Sequence, residues 1–505
     1  MKANKLLYGL AMTPALACGQ SEKPNIIFVL CDDMGWGDLG CYGQQYISTP
    51  NLDRMAAEGM QFMQAYCGSP VSAPSRASLM TGQHSGHTKI RGNKEHWQGK
   101  LQQNMYGVNA DYTLVGQEPL DPNHVVIPEI MKDNGYTTAQ FGKWAGGYEG
   151  SVSTPDKRGV DVFYGPICQF QAHAYYPNFL NRYDPSKGDK AVVRELLEEN
   201  IKFNFQNDEY FKRPQYSADL IHQRALQWID DVADGDKPFY GLFTYTLPHA
   251  ELAQPDDSIY QSYKAKFCTD KSWGGDVGSW YHRVTNTHAQ FAGMITRLDA
   301  YMGEIMAKLK EKGIDENTIL IFSSDNGPHE EGGADPTFFN RDGVLKGIKR
   351  SCNEGGIRIP FIVRWPGKVP AGVKNDHQLA FYDVMPTFCE LIGIDDYVSK
   401  YKRPQSNGKE DYFDGISFLP TLLGNDAQQQ KHDYLYWELA PQIGVRQGNW
   451  KLVVRNGNCE LYDLASDIHE DTNLASKYPE KLAELKAIVR EAHVDSSMFP
   501  ITLPK

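Results

Sequence analysis

Two short runs of this sequence place oxygen-bearing side chains where α/β proteins collect their chemistry. Asp32-Asp33 follows the apolar run Ile26 to Leu30, and Asp325-Asn326-Gly327 follows the apolar run Thr318 to Phe322. Two carboxylates at the end of a buried strand do not stay close and charged without a cation. In open α/β sheets, ligands gather outside the carboxyl ends of the strands. Three carboxylates and one amide, with no Cys and no His at ligand spacing, select a hard cation such as Ca²⁺ or Mg²⁺ over zinc. Alone, an Asp-Asp pair reads as a helix cap or a surface turn. A second oxygen-bearing pair, Asp325-Asn326, after another apolar run sets a metal site level with that reading.

The third element is Ser72-Ala73-Pro74-Ser75-Arg76, continuing to Thr81-Gly82. By itself, a Ser before a Pro-containing turn caps a helix. The segment resembles the signature of formylglycine-dependent sulfatases, C/S-x-P-x-R with a later Thr-Gly. Cys67 and Ser69 lack Pro two positions and Arg four positions on, whereas Ser72 has both. On this motif the chain is identified as a member of the type I sulfatases of the alkaline phosphatase superfamily. The resemblance runs from Asn25 to the neighbourhood of Leu474.

That resemblance implies a set of roles. Ser72 is oxidised to formylglycine, hydrated at rest, by an oxygen-independent radical maturase that accepts Ser. One Ca²⁺ is held by Asp32, Asp33, Asp325, Asn326 and the modified Ser72, and Arg76 orients the formylglycine diol. Lys143, in Phe141-Gly142-Lys143-Trp144, contacts the sulfate. Lys349, five residues before Glu354-Gly355-Gly356-Ile357-Arg358, is the second sulfate-binding lysine. His249, closing Tyr245-Thr246-Leu247-Pro248-His249, serves the leaving group. Each role has a physical reason. Preorganised cations stabilise charge developing on a sulfate ester, a metal favours the anionic form of an attacking hydroxyl, and a leaving alkoxide needs a proton that His can supply.

One position departs from the pattern. The family continues G-K-W-H, but here Trp144 is followed by Ala145, so the His that takes a proton when sulfate is expelled is missing. His84 and His87 are its expected stand-ins. For the sugar, the aromatic and polar run Cys168 to Tyr176 is expected over the pocket, with His173 bonding a hydroxyl. His329, Glu330, Glu331 and Arg341 are further expected sugar contacts. The implied reaction is hydrolysis of a carbohydrate sulfate ester. The expected substrate is O-sulfated galactose or N-acetylgalactosamine of host or algal glycans, 6-O favoured over 4-O. Two alternatives are a phosphatase or phosphodiesterase of the same superfamily and an inactive glycan-binding protein. Asn326, where two-metal relatives often carry His, and the intact Ser72 signature disfavour both.

The elements that must position these residues alternate. Apolar runs at Ile26 to Leu30, Thr138 to Phe141, Phe239 to Tyr245, Thr318 to Phe322 and Pro360 to Arg364 read as strands buried on both faces. Helical patterns lie at Asn51 to Glu58, Val126 to Asn134 and Asn286 to Lys312. This predicts an α/β fold, a large, mostly parallel mixed sheet sandwiched by helices and alkaline phosphatase-like. After Pro370-Ala371-Gly372 the pattern changes. A helix at Val384 to Ile392 precedes short runs at Tyr434 to Leu439, Ile443 to Gln447, Lys451 to Arg455 and Cys459 to Asp463, an antiparallel meander covered by a helix at Glu480 to Ala492. The expected division is a catalytic domain at 24–374 and a smaller C-terminal α+β domain at 375–505.

The ends and the composition complete the reading. Lys2 and Lys5 before Leu6 to Ala17 form a signal-peptide layout over residues 1–18, and Cys18 after Leu16-Ala17 also fits a lipoprotein cleavage site. Export is expected, to the periplasm or to a lipid anchor on the outer membrane of a Gram-negative bacterium, with no transmembrane segment. None of the nine cysteines forms a C-x-x-C pair, so they read mainly as small buried hydrophobes. A formal net charge of −12 without Lys/Arg runs argues against nucleic acid. The expected partners are a sulfated glycan and the maturase.

Overall fold

The computed structural model describes residues 23–94, 116–144, 146–205, 209–274, 281–406 and 408–505. The signal-peptide layout at residues 1–18 and the departure at Ala145 lie outside them.

A ten-stranded mixed sheet organises the chain. Its order is Val373–Asn375, Met60–Phe62, Phe361–Arg364, Thr318–Ser324, Asn25–Cys31, Phe239–Thr244, Thr137–Gly142, Val162–Gly165, Phe179–Tyr183 and Val193–Leu196. The five central strands, from Thr318–Ser324 to Val162–Gly165, run parallel. Antiparallel strands flank them on both sides. Every residue of Asn25–Cys31 is buried, which is why the run carries no alternation. Its side chains feed two cores in turn, as the period of two demands. Ile27, Val29 and Cys31 join one, while Ile26, Phe28 and Leu30 join the other.

Helices close each face. Thr287–Glu311 lays Phe291, Ile295, Leu298, Met302, Ile305 and Leu309 on the first core, at the three- and four-residue steps of one helical stripe. Fully burying each such side chain contributes roughly 1.5–3 kcal/mol. The expected helices at Val126 to Asn134 and Val384 to Ile392 are found at Ile127–Asp133 and Val384–Leu391, on the other core.

The meander is present as a four-stranded antiparallel sheet, Leu435–Leu439, Gln442–Gln447, Trp450–Arg455 and Asn458–Asp463. Helix Pro479–Ala492 covers it with Leu485, Ile488 and Val489. A buried polar cluster ties this sheet to the first. The Glu354 carboxylate accepts from Lys451 at 2.9 Å and from the Tyr66 hydroxyl at 2.6 Å, and it pairs with Arg358. The Glu354 backbone N–H donates to Glu470 at 2.8 Å. Among the described residues, eight cysteines are free thiols and no helix is long and apolar enough to cross a membrane.

Candidate active site

The parallel strands deliver their polar ends to one place. The Asp325 N–H donates to the Cys31 carbonyl at 3.1 Å, Asp32 N–H to Leu247 O at 3.1 Å and Lys143 N–H to Thr244 O at 2.9 Å. These bonds bring together the residues that follow four strands. Asp33 turns the chain out of the sheet in the left-handed region, at φ 61°, an uncommon state for a side-chain-bearing residue. Its N–H donates to Asp325 Oδ1 at 3.0 Å, and Asn326 Nδ2 donates to Asp33 Oδ1 at 2.7 Å.

Ser72 opens the wholly buried helix Ser72–Thr81. Its hydroxyl donates to Asp32 Oδ1 at 2.9 Å and lies 3.4 Å from Asn326 Oδ1. One turn on, Arg76 Nε donates to Asp325 Oδ2 at 2.8 Å while Nη2 lies 3.3 Å from Asp32. Lys143 Nζ reaches Asp32 Oδ2 at 2.6 Å and Lys349 Nζ reaches Asp33 Oδ2 at 2.7 Å. Lys349 also touches Glu331 at 3.3 Å and donates to His249 Nε2 at 3.1 Å. His249 Nδ1 is bonded to the Ala250 carbonyl. A carbonyl only accepts, so Nδ1 carries the proton of the neutral ring and Nε2 presents its lone pair to the ammonium.

The electrostatics follow from that packing. Burial pushes against ionisation of Asp32, but Lys143 and Arg76 hold it well below the usual carboxylate range. Asp33 is likewise lowered against its burial by Lys349 and His249. Asp325 is pushed up to about 7, by burial first and then by Asp32. Three buried carboxylates and the Asn326 amide bring oxygen donors together at one place, a donor set that a hard cation fits. Burial, reinforced by Lys349, lowers His249 below the ordinary imidazole value. Arg76 Nη1 is buried without a hydrogen-bond partner, and Nη2 has only its ion pair with Asp32, so donor capacity is left over in this floor.

Above this floor lies a cavity of about 350 Å³ lined by Ser72, Lys143, His173, His249, Glu331 and Lys349 together with Asn93, Gln169, Phe170, Tyr281 and Arg350. The expected loop over the pocket therefore contributes Gln169, Phe170 and His173. The His173 ring stacks on His249 at 4.3 Å between centroids. The other expected sugar contacts divide. Glu331 is in the wall, but Glu330 is exposed and does not line the cavity. His329 is fully buried, its Nε2 on Pro248 O at 3.2 Å. Arg341 is fully buried and does not line the cavity: its guanidinium is spent on Asp38, the His329 carbonyl and the Asp33 carbonyl, over the Phe291 ring. It supports the Asp33 turn instead. His84 and His87 are likewise elsewhere, stacked on each other and facing Asp414.

Asn93, Tyr281 and Arg350 escape the sequence reading. Asn93 accepts the Ala73 N–H at 3.1 Å and so fixes the start of the signature helix. Nothing in the composition of these segments marks them. Arg350 alone had a usable signal, as the neighbour of Lys349.

Comparison with known proteins agrees with this geometry. A family model described as Sulfatase matches residues 24–394, and one for the C-terminal part of N-sulphoglucosamine sulphohydrolase matches 348–494. The chain is 32% identical over 460 residues to an N-acetylgalactosamine-6-sulfatase of Canis lupus familiaris, covering 88% of this chain and 74% of that protein. It is 28% identical to an N-acetylgalactosamine-6-O-sulfatase of Bacteroides thetaiotaomicron, over 93% of each. The crystal structure of Ps i-CgsB in complex with k-i-k-neocarrahexaose superposes with a TM-score of 0.68 at 25% identity, over 93% of this chain and 92% of that one. The chain thus belongs to the sulfatase family, whose enzymes hydrolyse sulfate esters, here on carbohydrates.

Proposed function

We propose that this enzyme removes a 6-O-sulfate from N-acetylgalactosamine or galactose in a glycan, using formylglycine made from Ser72 and one Ca²⁺. The observation that carries the reading is the meeting of Ser72, Arg76, Lys143, His249 and Lys349 around three buried aspartates at the floor of one cavity. The sugar is argued from the relatives named N-acetylgalactosamine-6-sulfatases.

Asp32, Asp33, Asp325, Asn326 and residue 72 would hold the calcium, which when bound polarises a sulfate oxygen and favours an anionic hydroxyl. The hydrated aldehyde at residue 72 supplies that hydroxyl. The remaining work belongs to the chain. Lys143 and Lys349 bind the sulfate oxygens and offset charge as it builds, in a site screened from water. Arg76, one turn along the same helix and paired with Asp32 and Asp325, offers its spare Nη1 donor to the oxygens at residue 72. His249 and Lys349 share a proton across 3.1 Å, within reach of a leaving sugar oxygen, so an alkoxide need not depart bare. Gln169, Phe170 and His173 hold the sugar ring. A panel of singly sulfated monosaccharides, each assayed for free sulfate, tests the reading. Release from N-acetylgalactosamine 6-sulfate or galactose 6-sulfate is the expected result, and release only from other positions or sugars would reject the 6-O assignment.

A further inference from the structure

Two of the three cations in the cavity wall are tied to the floor, Lys143 to Asp32 and Lys349 to Asp33. Arg350 is different. It pairs with Glu331, and its side chain is 59% exposed at the cavity wall. Among the described residues, its Nε and Nη1 have no protein partner, so one edge of the guanidinium stays open to ligand. Its backbone is held at φ 72°, where a side chain costs energy and glycine would not. That conformation is clamped from both sides. The Arg350 N–H donates to Pro70 O at 2.7 Å, and Gln442 Nε2 donates to the Arg350 carbonyl at 2.8 Å. A side chain kept in a costly backbone state beside a reactive centre points to use of that side chain.

We propose that Arg350 forms a second anion subsite, which binds a further carboxylate or sulfate ester on the glycan beside the ester being cleaved. The proposal rests on the sulfatase reading above and deepens it: the substrate is a multiply anionic glycan. Guanidinium suits the task because its planar fork meets carboxylate or sulfate oxygens two at a time. Glu331 holds the fork in place by one nitrogen and faces Lys349 with its other oxygen. The lysines keep the scissile sulfate, and the free edge of Arg350 takes the neighbouring charge. Because the side chain is largely exposed, the gain is modest and falls with salt.

The test compares four probes on the full chain. They are N-acetylgalactosamine 6-sulfate, its disaccharide with glucuronate, the same disaccharide with the carboxyl reduced to an alcohol, and N-acetylgalactosamine 4,6-disulfate. Binding is read by calorimetry on a Ser72→Ala variant, and sulfate release on the mature enzyme. The charged disaccharide is expected to bind about 3- to 5-fold tighter than its reduced form. Arg350→Gln is expected to erase that difference and change binding of the singly sulfated sugar by less than about twofold. The disulfate arm tells a second sulfate from a carboxylate as the preferred group. No preference of the parent for either doubly anionic probe, or equal weakening of all four by Arg350→Gln, overturns the proposal. Sulfate release without the charge preference leaves the sulfatase reading standing and removes only the subsite. Charge preference without release from any probe retains the subsite and rejects the reading.

Discussion

His249 meets three polar groups, Ala250 O at Nδ1 and both Lys349 and Asp33 at Nε2, and stacks on His173. These contacts support the proton-transfer role proposed for the ring. General acid catalysis contributes typically 10²–10⁴-fold, so His249→Ala is expected to cost about that on a sugar sulfate. Nitrophenyl sulfate, whose leaving group is stable as an anion, should lose far less. Lys143→Ala, which removes a sulfate-binding cation with no part in the proton shared by His249 and Lys349, should harm both substrates alike, and equal losses for His249→Ala on the two would remove it from the proton-donor role. Ser72→Ala is expected to abolish sulfate release while the thermal unfolding midpoint stays close to that of the parent, since one hydroxyl is lost from a helix start. Peptide mass spectrometry of active enzyme should show residue 72 lighter by two hydrogens, or as the hydrate. Activity in protein carrying only intact Ser72 would refute formylglycine. At this scale much was legible in the sequence. Asp32, Ser72, Lys143 and Lys349 announce themselves by neighbours in the chain. Arg341 does not: it was expected on the sugar, but the partners that consume it, Asp38 and Phe291, are distant in sequence and only the fold supplies them.

Elements decide how firmly Lys349 and Arg350 are aimed. A Cβ on Gly355 would lie 2.1 Å from the Gly347 carbonyl, and one on Gly356 would lie 2.0 Å from the Ser351 carbonyl. The turn at Glu354–Ile357 is therefore pressed backbone to backbone against the segment that bears both cations. Gly355→Ala is expected to destabilise the protein by about 1–3 kcal/mol, through overpacking. It should also lower kcat/KM by about 100-fold, because a displacement near 1 Å at a catalytic group costs that much. Calorimetric unfolding and sulfate release measured on one preparation check the pair of effects. Loss of stability with full activity would mean the segment is held elsewhere. The five apolar runs and the meander were readable because burial on both faces, or strict turns, leave strong patterns. The strands Phe179–Tyr183 and Val193–Leu196 were not. Their half-buried positions carry Arg182, Arg194 and Glu195, which make ion pairs with Asp189, Glu149 and one another. A strand held by such pairs at a sheet edge has no apolar run to announce it.

Across the whole molecule, the two sheets are joined through the buried cluster of Glu354, Glu470, Lys451 and Arg358. Burial pushes Glu470 up to about 7, with Glu354 adding to the rise and Lys451 opposing it. A carboxylate raised in the folded state contributes stability below its unfolded value and loses it as pH rises through the folded one. Stability should therefore fall between about pH 4.5 and 7 on this account. Glu470→Gln is expected to flatten that fall and to unfold at a higher temperature than the parent at alkaline pH. An unchanged pH profile would show that the cluster is ionised throughout. Calcium belongs to this scale too, since a cation bound only by the folded state adds to its stability. A calcium chelator should lower the unfolding midpoint and remove activity, and added Ca²⁺ should restore both. Full activity in verified metal-free protein would reject the ion. The burial of helix Ser72–Thr81 sets a last condition, one of timing. Ser72 is 1% exposed and every residue of that helix is buried, so on the formylglycine proposal an enzyme that must grasp this segment has to meet the chain before it folds. Synthesis is then a race with a single finish: chains that fold first are sealed as a silent fraction. Later incubation with maturase should leave that fraction inactive, whereas unfolding it and refolding in the maturase's presence should bring it to life.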